Sequence, residues 1–238
     1  MKIALVGYGK MGKTIERIAV ERGHEVVLRI TSSNLGDLNK DHLALADVVI
    51  EFTKPESAFD NVCKCLMAGT PVVCGTTGWN EKLEAAYGIC LKNNTAMLQS
   101  SNFSIGVTVF FEINRFLAQM MNHYPHYDVS IEETHHIHKK DAPSGTAITL
   151  AERILEQLDR KKTWSISQPF APNELSILAH RIDEVPGTHS VKYSSAIDDI
   201  ELTHTAHNRD GFALGALVAA EFLMGKKGVF TMKDVLGL

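Results

Sequence analysis

KIALVGYGKMG, residues 2–12, is the stretch that decides the fold. A short apolar run passes into three glycines spaced G-x-G-x-x-G, and Met11 to Arg22 then follows with helical periodicity. Strand, glycine turn and helix in that order are the signature of a dinucleotide-binding unit. Gly7 permits the tight turn, Gly9 lets backbone approach a pyrophosphate, and Gly12 allows close packing of helix on sheet. The helix start adds unpaired N–H groups and a dipole that favours an anion. Gly7, Tyr8, Gly9, Lys10 and Met11 are therefore candidate cofactor contacts. The competing reading is a glycine-rich turn that merely packs tightly.

Outward from this stretch, residues 25–30, 47–53, 70–77 and 95–100 read as further strands, and Pro55 to Met67 as a helix with proline at a favoured first-turn position. Strands alternating with helices predict a Rossmann-like, doubly wound parallel sheet. The second strand ends in Arg29-Ile30-Thr31-Ser32-Ser33, with no carboxylate for the ribose hydroxyls. Hydroxyls and an arginine suit a 2'-phosphate, so NADPH is the preferred cofactor with NADH still usable, and Ser32 is a candidate contact. Ligands bind at the C-terminal ends of parallel strands. That makes candidates of Gly75, Thr76 and Thr77 after the fourth strand, and of Ser100, Ser101, Asn102 and Phe103 after the fifth. Ordinary turn chemistry and a helix cap at Ser104 is the alternative for both loops.

The pattern changes near residue 105. A long helix, 105–124, precedes strand-like segments at 127–133, 175–182, 189–195 and 199–207, interrupted by a helix over 146–158. This predicts a smaller α+β unit with a mostly antiparallel or mixed sheet. Gly211 to Met224 is again an apolar helix. The expected division is residues 1–104, completed by 209–238, for dinucleotide binding, and 105–208 as a second domain. A chain of 238 residues with 45% hydrophobic and 22% charged residues is ordinary for a soluble globular protein. The net charge of -4 gives no electrostatic case for nucleic acid or an anionic membrane as partner. No apolar run approaches the length of a membrane span, and the N-terminus lacks the layout of a signal peptide. The four cysteines, Cys63, Cys65, Cys74 and Cys90, read as thiols in a reducing cytoplasm rather than a zinc site.

The densest chemistry lies in ETHHIHKKDAPSGTA, residues 133–147. His136 and His138 on one strand face would suit a metal, but Lys139 and Lys140 repel a cation, so no metal site is expected. An exposed polar strand end is the plainest reading. An anionic-substrate pocket with a proton donor accounts for more. Pro143 ends the extended segment, Ser144 caps, and Gly145 and Thr146 offer backbone N–H groups to a carboxylate or phosphate. Lys139 adds charge, and a histidine near its ordinary pKa of about 6.5 exchanges a proton at neutral pH.

This string closely resembles the signature of 4-hydroxy-tetrahydrodipicolinate (dihydrodipicolinate) reductases. The likeness extends over nearly the whole chain, through the glycine turn, Gly75-Thr76-Thr77, Ser101-Asn102-Phe103-Ser104, Val185-Pro186-Gly187-Thr188 and Leu202-Thr203-His204. The resemblance implies reduction of a cyclic dicarboxylate with NADPH or NADH and loss of water, on the diaminopimelate and lysine route, by a cytoplasmic homotetramer in which residues 105–208 serve substrate binding and oligomerisation. It also implies that His135 and Lys139 are catalytic, that His136, Gly145 and Thr146 bind substrate, and that the glycine turn and the two strand-end loops hold cofactor. Thr31-Ser32 departs from an acidic-basic pair carried by some relatives, which bears on cofactor preference. Another two-domain NAD(P)-dependent dehydrogenase, acting on aspartate or a semialdehyde, is the rival enzyme reading; it needs no clamp such as Pro143-Ser144-Gly145-Thr146. A nucleotide-sensing regulator is the nonenzymatic one, and no basic module accompanies the fold.

Overall fold

The computed structural model describes all residues, 1–238, and divides them into two compact units: 1–105 with 210–238, and 106–209. In chain order the elements are β1 (Lys2–Val6), α1 (Lys10–Glu21), β2 (Glu25–Ile30), α2 (Lys40–Leu43), β3 (Val48–Glu51), α3 (Pro55–Met67), β4 (Val72–Cys74), α4 (Leu83–Lys92), β5 (Ala96–Gln99), α5 (Ile105–Met121) and β6 (Asp128–His135). They continue with α6 (Gly145–Leu155), β7 (Thr163–Ser165), β8 (Glu174–Arg181), β9 (Gly187–Ser194), β10 (Asp199–Ala206), α7 (Asp210–Leu223), β11 (Gly228–Phe230) and α8 (Met232–Leu236).

The first unit is a six-stranded parallel sheet in the order β11-β5-β4-β3-β1-β2. Its central strands are apolar on both faces because both are covered. Ile3, Leu5, Val48 and Ile50 pack with Ile15, Ala216, Leu217 and Ala220 of α1 and α7 on one side. Ala4, Val6, Val49, Val62, Leu66 and Ala86 build the other core with α3 and α4. The sixth strand, β11, escapes sequence reading: three residues beginning with Gly228 (φ +118°) are too few to show a period. All four cysteines are buried and unpaired in this unit.

The second unit is a five-stranded sheet, β10-β9-β6-β8-β7. Pairing is antiparallel for β10/β9 and β9/β6 but parallel for β6/β8 and β8/β7, so the sheet is mixed rather than mostly antiparallel. The physical reason is connectivity: α6 carries the chain from β6 across to the edge strand β7, parallel to β6, and β8 then fills the place between them in the same direction. One face carries Val129, Ile131, Ile177, Val191 and Tyr193 against Phe110 and Phe111 of α5 and Leu150, Ala151 and Ile154 of α6. The strand β6 shows this alternation directly, with Val129, Ile131, Glu133 and His135 on the buried side. No helix is long and apolar enough to cross a membrane.

Candidate active site

In the first unit the glycine turn meets each of the three demands made of it. Gly7 has φ +95°, and a Cβ there would lie 1.9 Å from the Phe52 carbonyl oxygen. A Cβ on Gly12 would lie 2.4 Å from the Gly7 oxygen, whereas one on Gly9 would meet nothing within 4 Å. The first and third glycines are thus forced by packing and the second leaves an open cradle, as a pyrophosphate requires. Gly9 caps α1 without a side chain, and no acid lies in the first turn to oppose an anion. The order of strands reverses between β1 and β3, which is the switch point where such sheets bind ligands. These residues fit a dinucleotide.

The other candidates divide by what their side chains already do. Lys10 is exposed and Met11 half-buried, while the Tyr8 hydroxyl donates to Glu16. Ser32 is exposed in the turn after β2, beside a Thr31, Ser33 and Asn34 hydrogen-bond cluster. A Cβ on Gly75 would overlap the Phe52 ring at 2.1 Å. Thr76 is buried: its Oγ1 accepts from the Thr53 N–H at 2.8 Å and its carbonyl from Trp79 Nε1 at 2.7 Å. Thr77 and Ser101 are exposed. Ser100 Oγ donates to the Asn102 carbonyl at 2.7 Å, and Asn102 Oδ1 accepts from the Ser104 N–H at 2.9 Å. Phe103 is core, 5.9 Å from the Phe52 ring, so its side chain is committed to packing. Phe52 and Thr53, at the end of β3 and against Gly7, were missed from sequence; the end of the third parallel strand was the available signal.

In the second unit strand register assembles the site. On β6 the inward row ends in Glu133 and His135; on β9 the inward row is Gly187, His189, Val191 and Tyr193. Antiparallel register sets Glu133 opposite His189, and the parallel pair with β8 sets His135 beside Arg181. Glu133 is fully buried. Its Oε1 accepts from Arg181 Nη2 at 3.0 Å and from the Ser144 N–H at 3.1 Å. Its Oε2 lies 2.7 Å from His135 Nδ1, an ion-pair distance without the alignment of a good hydrogen bond, and 3.7 Å from His189 Nε2. His135 is 8% exposed rather than lying in an open, wet cleft, because strand alternation turns it inward. A Cβ on Gly187 would come within 2.9 Å of His135 Nε2, so glycine keeps the outer ring nitrogen clear.

Ser144 caps α6, its Oγ accepting from the Ala147 N–H at 3.2 Å and pairing with His189 Nε2 at 3.0 Å. Its own N–H is taken by Glu133, so the N–H groups left at the open first turn are those of Gly145 and Thr146. Lys139 Nζ holds both Asp141 oxygens, at 2.7 and 2.9 Å. His136 Nδ1 is buried with no partner, whereas His138 is a surface residue 3.3 Å from Glu184. The sequence reading missed Glu133, Arg181 and His189; apolar residues at alternate positions 129 and 131 were the signal that 133 and 135 also point inward.

Burial alone would raise the Glu133 carboxyl, but His135, the Ser144 N–H and Arg181 outweigh it and hold the pKa down to about 2. Burial, reinforced by the neighbouring His135, pushes His189 down to about 4. At neutral pH the cluster is therefore a carboxylate facing a neutral His189. Lys139 holds the Asp141 carboxyl below its ordinary value. Glu133, His135 and His189 offer ligand atoms within 4.8 Å of one another, a different trio from the His136 and His138 pair weighed from sequence. Arg181 already occupies the carboxylate, and its positive charge opposes a cation there.

A Rossmann-type sheet with an intact glycine cradle, and a mixed sheet carrying a buried carboxylate–histidine pair beside a lysine and an open helix start, define a two-unit, dehydrogenase-like class of protein. The chain belongs to the dihydrodipicolinate reductase family: the family's N-terminal part matches residues 1–103 and its C-terminal part residues 106–236. It is 51% identical over 237 residues to the 4-hydroxy-tetrahydrodipicolinate reductase of Christiangramia forsetii, covering 99% of this chain and 98% of that one. Identity to the enzyme of the same name from Neisseria meningitidis serogroup B is 34% over 230 residues, covering 94% and 84%. Among solved structures, a dipicolinate-bound dihydrodipicolinate reductase from Paenisporosarcina sp. TG-14 shares the fold, with a TM-score of 0.80, 23% identity and 98% of each chain covered.

Proposed function

We propose that this protein is an NAD(P)H-dependent oxidoreductase that reduces 4-hydroxy-tetrahydrodipicolinate to tetrahydrodipicolinate with loss of water, a step of diaminopimelate and lysine synthesis. Family membership over the whole chain supports this above a dehydrogenase acting on aspartate or a semialdehyde. The observation that carries it is the buried Glu133–His135 pair next to Lys139 and the open start of α6. A nicotinamide, when bound, supplies the hydride. What the chain supplies is binding and proton handling. Glu133 fixes the imidazole through Nδ1, which leaves Nε2 as the atom that exchanges a proton with substrate. Lys139, on releasing Asp141, is the second catalytic donor. The Gly145 and Thr146 N–H groups take a substrate carboxylate, with the helix dipole favouring the charge. The half-buried His136 is a further substrate contact.

The first unit takes the cofactor through Gly7, Tyr8, Gly9, Lys10, Met11, Ser32, Gly75, Thr76, Thr77 and the Ser100 to Phe103 loop, with NADPH preferred and NADH used. Thr76 and Phe103 contribute through backbone, since their side chains are occupied. The assembly is a cytoplasmic homotetramer with no nucleic-acid or membrane partner, and native mass measurement tests its size. The decisive assay mixes protein, NADPH and substrate freshly made by the preceding aldolase step. Nicotinamide absorbance should fall with enzyme-dependent kinetics; no fall with either cofactor ends this reading.

A further inference from the structure

The ribose end of the cofactor site carries a charge arrangement that sequence did not reveal. Arg29 stands next to last in β2, opposite Leu5 of β1, where a dinucleotide fold reads the 2' position. No carboxylate lies at the strand end, yet one arrives from the helix. Glu16 Oε1 accepts from Arg29 Nε at 3.0 Å and from Nη2 of the same guanidinium, while Oε2 accepts from the Tyr8 hydroxyl. The guanidinium also lies 5.9 Å from the centre of the Tyr8 ring. Arg29 is thus anchored by the glycine turn and by α1 together. The side chains are 42% exposed for Arg29 and 19% for Glu16, so a ligand can reach the arginine while the carboxylate stays close behind it.

We propose that Glu16 is a specificity-determining residue: by holding Arg29 it narrows the advantage of a 2'-phosphorylated dinucleotide, so that both cofactors are used. The inference rests on the NAD(P)H reading above. A 2'-phosphate approaching Arg29 meets a guanidinium already carrying a carboxylate, and must displace that carboxylate or share the cation with it. A 2'-hydroxyl has neither cost. An exposed ion pair is worth up to roughly fivefold in an equilibrium. A charge-assisted contact to phosphate is worth roughly ten- to a hundredfold. The phosphate therefore wins, but by less than an unencumbered arginine would allow. Residue 16 is on the solvent-side flank of α1, four positions after the glycine motif ends, and the i to i+13 reach from Glu16 to Arg29 crosses from helix to strand. No spacing rule for the motif itself announces it.

The test uses the full chain and a pair of probes that differ by the 2'-phosphate alone, adenosine 2',5'-bisphosphate and adenosine 5'-phosphate, with binding measured by calorimetry. Glu16→Gln and Glu16→Ala should each tighten the bisphosphate about fivefold and leave the monophosphate unchanged. Arg29→Gln should weaken the bisphosphate about tenfold and leave the monophosphate unchanged. Glu16→Gln combined with Arg29→Gln should match Arg29→Gln alone, since Glu16 acts through the arginine. The ratio of kcat/KM for NADPH over NADH should move in the same sense. An unchanged bisphosphate-to-monophosphate ratio in both Glu16 variants overturns the proposal, as does a gain that persists without Arg29. Wild type that binds neither nucleotide nor either dinucleotide overturns instead the cofactor reading on which it rests.

Discussion

Glu133 is where fold and chemistry meet in a single side chain. It sits in an apolar row yet stays ionised, because two donors, the Ser144 N–H and Arg181, and the His135 ring beside it replace the water it gave up. Two consequences follow for measurement. The first concerns turnover. His135→Gln, which still offers a donor to Glu133, and Lys139→Ala should each lower kcat about a hundredfold or more, the usual scale for a positioned acid–base group. Near-native turnover in either would remove that residue from the mechanism. The second concerns acid. The folded His189 pKa of about 4 lies below its ordinary 6.5, so the unfolded chain binds the extra proton first. Stability attributable to His189 is thus complete above pH 6.5 and falls away as pH drops toward 4, by up to about 3 kcal/mol. Glu133 acts in the next window: its pKa is depressed from 4.5 to about 2, so its contribution is present above pH 4.5 and lost as pH falls toward 2. Thermal melts between pH 7 and 4 should show a steeper decline in wild type than in His189→Gln. Superimposable slopes would mean that the buried imidazole is not held neutral.

At the scale of elements, the proposed carboxylate contact rests on the open start of α6. Thr146→Pro deletes one of the two N–H groups at its open first turn, at a position where proline's fixed φ suits a helix. Affinity for dipicolinate, a planar pyridine dicarboxylate, should fall about tenfold while NADH affinity stays constant, as read by titration. Equal loss of both ligands would signal a damaged fold, and loss of neither would move the carboxylate elsewhere. The contrast between elements also says what sequence can carry. The glycine turn and the Pro-Ser-Gly-Thr start were legible because backbone geometry there demands particular residues: Gly7 and Gly12 have no room for a Cβ, and Ser144 is the cap. Glu133, His189 and Arg181 were not legible as a group, because they come from three strands and meet only through register. The β6 alternation placed Glu133 inward, but nothing local says that His189 faces it. The parallel pairing of β6 with β8 was missed for the same reason, and the three-residue β11 is too short to show a period.

Across the whole molecule the chain leaves the parallel-sheet unit at residue 105 and returns at 210, so one unit is interrupted by the other. The return is not decoration. Ala213, Ala216, Leu217, Ala219, Ala220 and Leu223 of α7 cover one face of the parallel sheet, and β11 supplies its edge beside β5. At ~25 cal/mol per Å² of apolar surface, exposing such a face is a loss that a marginally stable domain cannot absorb. A chain ending at residue 209 should therefore keep protected amides in β6, β8 and β9 while those of β1 and β3 exchange freely. Hydrogen exchange on that truncated chain checks this; protection restored in β1 and β3 would mean that α7 is dispensable.

That interrupted layout has a meaning in time as well as in space. On the ribosome, residues 106–209, which carry their own buried cluster, are all joined to the chain before α7 of the surrounding unit is made. The guest can finish before its host. The parallel-sheet unit, although its first strands are made early, has one face of its sheet uncovered until α7 is added. Until then the nascent chain is vulnerable to wrong contacts, and the surface to be shielded is the one α7 will fill.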